Sequence, residues 1–533
     1  MNGDDERKPS QAVQLIEIGR TAELWHTPAG EAFATVDAGG HKENLPLKSM
    51  AFREWLNRRF YEESRGKSAA GGAAMQTAIE VLSGNARFAG KERESYVRLA
   101  HSQDRVYLDL GDSEWRAVEV SPTGWRVVDN APVRFRRARG MLALPDPVHD
   151  GSLDVLREYV NTPDDDAWTL LLAWLVAIFS SGPYPVLILQ GEQGSAKSFT
   201  ARVLRSLVDP NSSGVRTAPR DAHDLMIAAR NSWVIAYDNL SGLPPWLSDA
   251  VCRLATGGGF ATRELYSDLE ETLIEAKRPV VVNGIDDMAA RDDLRDRSII
   301  LTLPAIAEAD RREEGSLWAA FEADRPAILG GLLDAVAVAL LNKSTTHLAR
   351  LPRMADFAKW VVAAEPALPW EAGHFLTAYA ENRQAAVETG LADSVLAQTI
   401  LAHIETAGEM GWTGTAKQLL EVLGGEVEES VRRSKNWPSS TRSLGNRLRR
   451  LAPALRAVGV SVDFMREAHT RRRLILIRKD SGNDVPNVPN VPAETETVSK
   501  QGILTGVAEY SGDVMGTMGT MCPRDDINDV PRI

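Results

Sequence analysis

Two cysteines, Cys252 and Cys522, are all that this 533-residue chain carries. So few exclude a disulfide scaffold or a cysteine-based zinc site, and they fit a reducing compartment. Long apolar runs are missing too. The longest, Trp168 to Phe179, covers about twelve residues where a membrane-spanning helix needs roughly twenty, so it predicts a buried helix and no membrane contact. The opening MNGDDERKPSQ lacks the apolar stretch of a secretory signal, and a cytoplasmic location is expected. Positive charge is also short: 61 Lys and Arg stand against 73 Asp and Glu, a formal net charge of −12. That balance excludes a chain that coats a polyanion along its whole length, but it leaves room for one local basic module. Apolar residues at 44% and charged residues at 25% are ordinary for a globular protein. At roughly 150 residues per domain the chain has room for about three or four.

Patterning divides it. Residues 1–20 read as a disordered lead-in. Residues 21–150 read as an α+β region of unassigned role, with strands at Glu31–Val36, Val106–Leu110 and Trp125–Val128 and helices at Met50–Ser64 and Met75–Leu82. In residues 151–345, helical spacers separate four nearly continuous apolar runs: Pro185–Leu189, Trp233–Tyr237, Pro279–Val282 and Ser298–Leu303. Such runs are strands buried on both faces, and the spacers predict a parallel α/β sheet. Residues 346–393 read as a helical lid or connector, and 394–480 as a smaller unit with a basic second half. The Val-Pro-Asn and Met-Gly-Thr repeats of 481–533 read as a disordered, low-complexity tail.

The first apolar run leads straight into Gly191-Glu192-Gln193-Gly194-Ser195-Ala196-Lys197-Ser198, and a helical pattern starts at Phe199. Strand, Gly-rich loop and helix in that order is the P-loop arrangement that cradles nucleotide phosphates. Gly191 and Gly194 can take positive φ and turn successive N–H groups inward as an anion nest, toward which the new helix aims its positive end. Lys197 is expected on the β- and γ-phosphates of ATP and Ser198 on Mg²⁺. Ala196 stands where the usual pattern has Gly. As the start of a helix it is expected to need no positive φ, at some loss of clearance.

The second run ends in Asp238-Asn239, about forty residues on. The Asp238 carboxylate is expected to hold Mg²⁺, directly or through water. Asn239 occupies the place where most such ATPases carry a Glu; it cannot act as a base, though its amide can position a water. Asn283, at the tip of the third run, is expected near the γ-phosphate or the lytic water. Arg295 and Arg297, just before the fourth run, are alternatives for an arginine finger reaching a neighbouring subunit, or else partners for Asp292, Asp293 and Asp296.

The series GEQGSAKS, VIAYDN, LATGGGFATRELYSD, RPVVVNGID and LRDRSIILTLP resembles the AAA+ ATPase domain of phage- and plasmid-encoded primase–helicases, related to superfamily-three helicases. The resemblance covers residues 150–345 and departs from the family at Ala196 and Asn239. It implies a homo-oligomeric ring, often a hexamer, with ATP sites shared between neighbours, and places Arg263 nearest ATP or DNA. Many family members carry a primase, so a separate primase or replication protein is an expected partner. Residues 21–147 offer no carboxylate set for one; Asp109 and Asp112 come nearest, and a turn explains them better.

In the C-terminal unit, helical spacing at Ser394–Thr406, Ala416–Leu423 and Arg442–Leu455 precedes VSVDF and RRRLILIRK, a pattern that resembles a winged helix–turn–helix. Lys435–Lys479 holds twelve Lys and Arg against two acids. DNA contacts are expected from Arg442, Asn446, Arg447, Arg449 and Arg450 on the third helix and from Arg471, Arg472 and Arg473 at the wing. The whole reads as a DNA-binding ATPase motor of a mobile element. The competing readings are a nucleotide-gated DNA-binding switch with little hydrolysis and a defence or regulatory ATPase.

Overall fold

The computed structural model describes residues 9–263, 271–284, 291–467 and 472–479, the side chains of 259–263, 271–275 and Glu409 excepted. Residues 489–533 form a unit of their own outside the described residues, and the expected tail from 481 lies outside them too. The unit Met1–Val488 holds all of the described structure. It is a mixed α/β assembly with parallel strand pairings in three of its sheets.

Order begins earlier than the sequence predicts. Helix α1 (Gln11–Arg20) replaces most of the expected lead-in, capped by the Ser10 hydroxyl, which accepts the Val13 N–H. Its buried Leu15 and Ile18 close on residues far along the chain, which local composition cannot reveal. Strands β1 (Glu23–His26), β2 (Ala32–Asp37) and β3 (Lys42–Pro46), helices α2 (Met50–Glu63) and α3 (Gly72–Phe88), and β4 (Lys91–Glu92) complete this layer in the order β3-β2-β1-β4. Phe52, Leu56, Ile79 and Leu82 belong to its separate core.

After β5 (Ser95–Tyr96) comes an antiparallel meander: β6 (Leu99–Ser102), β7 (Arg105–Asp109), β8 (Ala117–Ser121) and β9 (Gly124–Val128). The two-residue β10 (Arg134–Phe135) pairs with β5. Alternate residues of the meander, Val106, Leu108, Val118 and Val120, point into the same core as the helices beyond residue 150. The boundary expected at 150 therefore cuts through a core; the meander belongs with those helices. Asp109 and Asp112 are structural, as a turn reading requires: Asp109 accepts the Gly111 N–H and pairs with Arg137, and Asp112 pairs with Arg116.

Helix α4 (Asp165–Ala177) is the predicted buried helix, with every residue from Ala167 to Ala177 buried and Asp164 as its N-cap. The four apolar runs become β11 (Val186–Gln190), β12 (Ile235–Leu240), β15 (Val280–Gly284) and β16 (Ser298–Thr302). Between them lie α5 (Lys197–Val208), α6 (Ala222–Asn231), α7 (Pro245–Thr256), the hairpin β13 (Gly259–Arg263) and β14 (Glu271–Glu275), and α8 (Asp292–Arg295). The four strands form one parallel sheet, β12-β15-β11-β16. The chain leaves β11 toward β12 on one side and returns to β16 on the other. The crevice beyond the carboxyl ends of β11 and its neighbours is thus a topological switch point, the preferred place for a ligand in an open α/β sheet.

The expected lid is instead part of the wall. Helices α9 (Glu314–Asn342), α10 (Ala355–Ala364) and α11 (His374–Ala392) put Phe357, Val361, Phe375 and Tyr379 into one core with α4 and β11. Alanine-rich helices read alike whether they swing or pack tightly. Asn382 of α11 bonds both the N–H and the C=O of Ile300 and so covers the outer edge of β16.

The C-terminal unit comprises α12 (Val395–Ala407), β17 (Trp412–Gly414), α13 (Ala416–Gly425), α14 (Glu429–Arg432), α15 (Thr441–Ala457), β18 (Val460–Arg466) and β19 (Arg473–Lys479). Its core is its own, with Leu444, Leu448 and Leu455 lining one face of α15. Residues 412–414 pair with β19 as a third strand. Two residues and a glycine gave the sequence reading no strand to find. Among the described residues no helix is long and apolar enough to cross a membrane.

Candidate functional site

β11 delivers the chain into the Gly191–Ser198 loop, and three positive φ values bend it: Gly191 at +145°, Gly194 at +85° and Ala196 at +61°. Gly191 also passes so close to the Leu303 carbonyl that no side chain would fit there. The Ala196 value corrects the expectation that a helix-starting Ala is relaxed: it caps α5 in the left-handed region, where a Cβ is strained. Ala196→Gly should therefore stabilise the fold by about 0.5–1 kcal/mol, strain relief outweighing the added freedom of the unfolded chain. Denaturant unfolding checks this, and an unchanged or lower midpoint would refute it.

Lys197, the first residue of α5, folds back on the loop. Its ammonium donates to the carbonyls of Gly191 at 2.8 Å and Glu192 at 2.7 Å and to Ser195 Oγ at 3.1 Å. Burial lowers its pKa and the nearby Asp238 carboxylate pulls it back up. Ser198 Oγ donates to Asp238 Oδ1 at 2.6 Å. Two side-chain oxygens forty positions apart thus touch at the mouth of the loop, a pair of the type that a hard divalent cation can take.

Asn239, with φ +54°, is exposed beside them. Asn283 is 1% exposed; its Oδ1 accepts the Asn239 N–H at 2.8 Å, and among the described residues its buried Nδ2 has no partner. The structure thus brings Lys197, Ser198, Asp238, Asn239 and Asn283 together. Phe199 is a correction: its ring is buried edge-on to Trp318 at 5.9 Å, so it faces the core and not a ligand. Glu192, Gln193 and Gly194 are exposed. Asn161 was missed: its amide donates to the carbonyls of Ser195 at 3.2 Å and Pro304 at 2.6 Å, tying the loop to the segment after β16. Nothing in the turn before α4 marks it.

Arg295 is also corrected. It is 7% exposed, pairs with Asp292 at 3.0 Å and packs against the backbone of Gly390, so it faces its own subunit. Arg297 is half-exposed and donates to the Asp293 carbonyl at 2.9 Å. Burial raises the pKa of Asp292, with Arg295 and then Arg450 acting the other way.

On α15, Arg447 is tied to the carbonyls of Lys435 and Asn436. Arg447 is a correction to the expected DNA set, because its guanidinium is held by two carbonyls of its own chain, whereas Arg450 is exposed. Arg442, Asn446 and Arg449 are exposed, Arg449 lying over the Phe464 ring at 4.7 Å. Arg472 and Arg473 are exposed at the β18–β19 turn, while Arg471 lies outside the described residues. The Arg263 backbone pairs with Glu271 in the β13–β14 hairpin; its side chain and residues 264–270 lie outside the described residues.

Two family models match the chain in succession. Residues 153–382 match the actinomycete integrative conjugative element replication protein, and residues 396–493 match the AICE RepA C-terminal domain. Together they span well over half of the 533 residues. The protein is a replication protein of a mobile element. More particularly, it belongs to the family of actinomycete integrative conjugative element replication proteins, RepA. No curated protein matches the chain. Among solved structures it is similar to the A-form apo structure of the NrS-1 C-terminal region, at 10% identity and a TM-score of 0.39, covering 89% of this chain and 100% of that one. A second structure of that region, residues 305–718, gives 9% identity and 0.36, covering 87% and 99%. Likenesses this loose carry no argument about fold or function.

Proposed function

We propose that this replication protein is an ATP-dependent, DNA-binding motor: a P-loop AAA+ core hydrolyses ATP, and a C-terminal winged helix holds DNA. The observation that carries the reading is the 2.6 Å contact between Ser198 and Asp238 beside a loop of three positive φ values and one lysine. Ser198 and Asp238 would hold Mg²⁺, which when bound would supply neutralisation of phosphate charge. Lys197 binds the β- and γ-phosphates once it leaves the loop carbonyls. Asn283 fixes the Asn239 backbone, and the Asn239 amide with the unpartnered Asn283 Nδ2 positions the attacking water. Arg297 acts in trans across a homo-oligomeric ring, a hexamer in preference to other sizes, in the cytoplasm, with a separate primase or replication protein as a further partner.

DNA is assigned to Arg442, Arg449, Arg450, Arg472 and Arg473. Four to six phosphate contacts there give a log K versus log salt slope of roughly −4 to −5 on duplex DNA. Replacing Arg442, Arg472 and Arg473 with Ala in the full chain should flatten it by roughly 0.9 per lost contact, about equally across sequences. An unchanged slope would move DNA binding elsewhere. One observation favours the switch as a second reading: position 239 has no carboxylate, and its N–H is already tied to Asn283. An ATPase assay with and without DNA, coupled to strand unwinding, separates the two. Turnover with unwinding supports the motor; ATP-dependent DNA binding without turnover supports the switch; neither activity rejects both.

A further inference from the structure

The segment after β16 stays at the phosphate loop. The Leu303 N–H donates to the Gln190 carbonyl at 2.8 Å, and the Ile306 N–H to the Gly194 carbonyl at 3.2 Å. Asn161 clamps the Ser195 and Pro304 carbonyls from the other strand of chain. Residues 303–306 are thereby strapped to the loop at its start and its middle. A single 3-10 turn, Glu308–Asp310, follows, and Arg311 leaves it with extended backbone at φ −68° and ψ 132°. That brings the guanidinium back over the loop: a side-chain carbon built on Gly194 would stand 3.6 Å from Arg311 Nη2.

Arg311 is exposed and, among the described residues, makes no hydrogen bond or ion pair. The neighbouring Glu314 is taken by Arg202. Its place is set by main-chain bonds to the loop itself, so it moves with the loop and not with a distant lid.

We propose that Arg311 is a nucleotide-binding residue acting in cis, gripping the terminal phosphate and so distinguishing a triphosphate from a diphosphate. The assignment rests on the nucleotide reading of the loop given above. An arginine suits it because the planar fork can meet two phosphate oxygens at once, which a lysine cannot. Lys197 and Arg311 then share one loop. Lys197 holds the loop carbonyls in the structure described, whereas Arg311 has no such bond to break.

Competition titrations with a fluorescent ATP analogue, using ATP and ADP with Mg²⁺ on the full-length protein, test it. Arg311→Ala should weaken ATP about 10- to 100-fold, the loss expected for a charge-assisted contact, and ADP by no more than about three-fold. Arg311→Lys should recover part of the ATP affinity. The nucleotide-free thermal midpoint should stay as in the wild type. An unchanged ATP-to-ADP ratio in Arg311→Ala, or an equal loss of both nucleotides, overturns the assignment while the loop remains a nucleotide site. A wild-type protein that binds neither nucleotide overturns the loop reading, and this proposal with it.

Discussion

Lys197→Ala is expected to lower ATP affinity at least about 100-fold and to abolish measurable turnover, with the fold left intact. The ammonium belongs to the first residue of the helix that leaves the loop, and it already sits among three loop oxygens at 2.7 to 3.1 Å. Each hydrogen bond to a charged group contributes about 1.5–3 kcal/mol, so two such contacts to phosphate oxygens suffice for a 100-fold effect. The fold survives because the loop beyond Gly191 is open to water through Glu192, Gln193 and Gly194, and the freed carbonyls can be solvated. Titration with a fluorescent nucleotide and phosphate release read the loss, and a thermal melt guards against unfolding. Wild-type affinity in the variant would mean that the loop is only a connection between a strand and a helix.

How much the sequence disclosed depends on how far apart the interacting residues lie. The strand–loop–helix order is contiguous, so the loop could be read directly, and the apolar runs marked the parallel sheet because strands buried on both faces leave no polar alternation. Asp238 and Asn283 were legible because each ends such a run. Ala196 was misjudged because a backbone angle is set by the path the loop must take, not by the residue's preference. Asn161 and Arg311 reach the loop from about thirty residues before it and more than a hundred after it, and neither stands in a pattern. Whether Arg295 or Arg297 turns outward depends on Gly390, nearly a hundred residues on, whose missing side chain leaves room for one guanidinium. Charge counting located a basic unit but could not see that Arg447 is tied to its own chain. The boundary at 150 failed because turn residues mark loops, and a loop inside a shared core looks like a linker.

That shared core carries the second large effect. Arg98→Met should destabilise the protein by about 3–5 kcal/mol, the cost of leaving a buried charge without its partner. Arg98 is 0% exposed and Asp209 2%. Arg98 Nε donates to Asp209 Oδ1 at 3.3 Å, while its other nitrogens hold the carbonyls of Asp109 at 2.8 Å and Leu142 at 2.6 Å. Burial lowers the pKa of Arg98, and Asp209 works against that shift.

Asp209 does more than neutralise. It follows α5 directly, and its Oδ2 accepts the N–H groups of Trp233 at 2.8 Å and Val234 at 3.1 Å, just ahead of β12. One carboxylate thus joins the end of the helix that starts at Lys197 to the strand that carries Asp238, and the arginine just ahead of the meander locks it. The match to the family's replication-protein model starts at residue 153, but the core this sheet needs reaches back to residue 98. Truncation at 150 should therefore fail to give a folded Gly191–Ser198 loop and sheet. In Arg98→Met/Asp209→Asn the neutral amide oxygen can still accept both N–H groups, which share one oxygen of Asp209, so the double variant should lose less than the sum of the single losses. A coupling of about 0.5–3 kcal/mol is the range for residues in one network. Denaturant unfolding followed by tryptophan fluorescence supplies all four corners of the cycle. If Arg98→Met unfolds within 1 kcal/mol of the wild type, on the scale of about one weak hydrogen bond, the meander is a covering layer and the site stands without it.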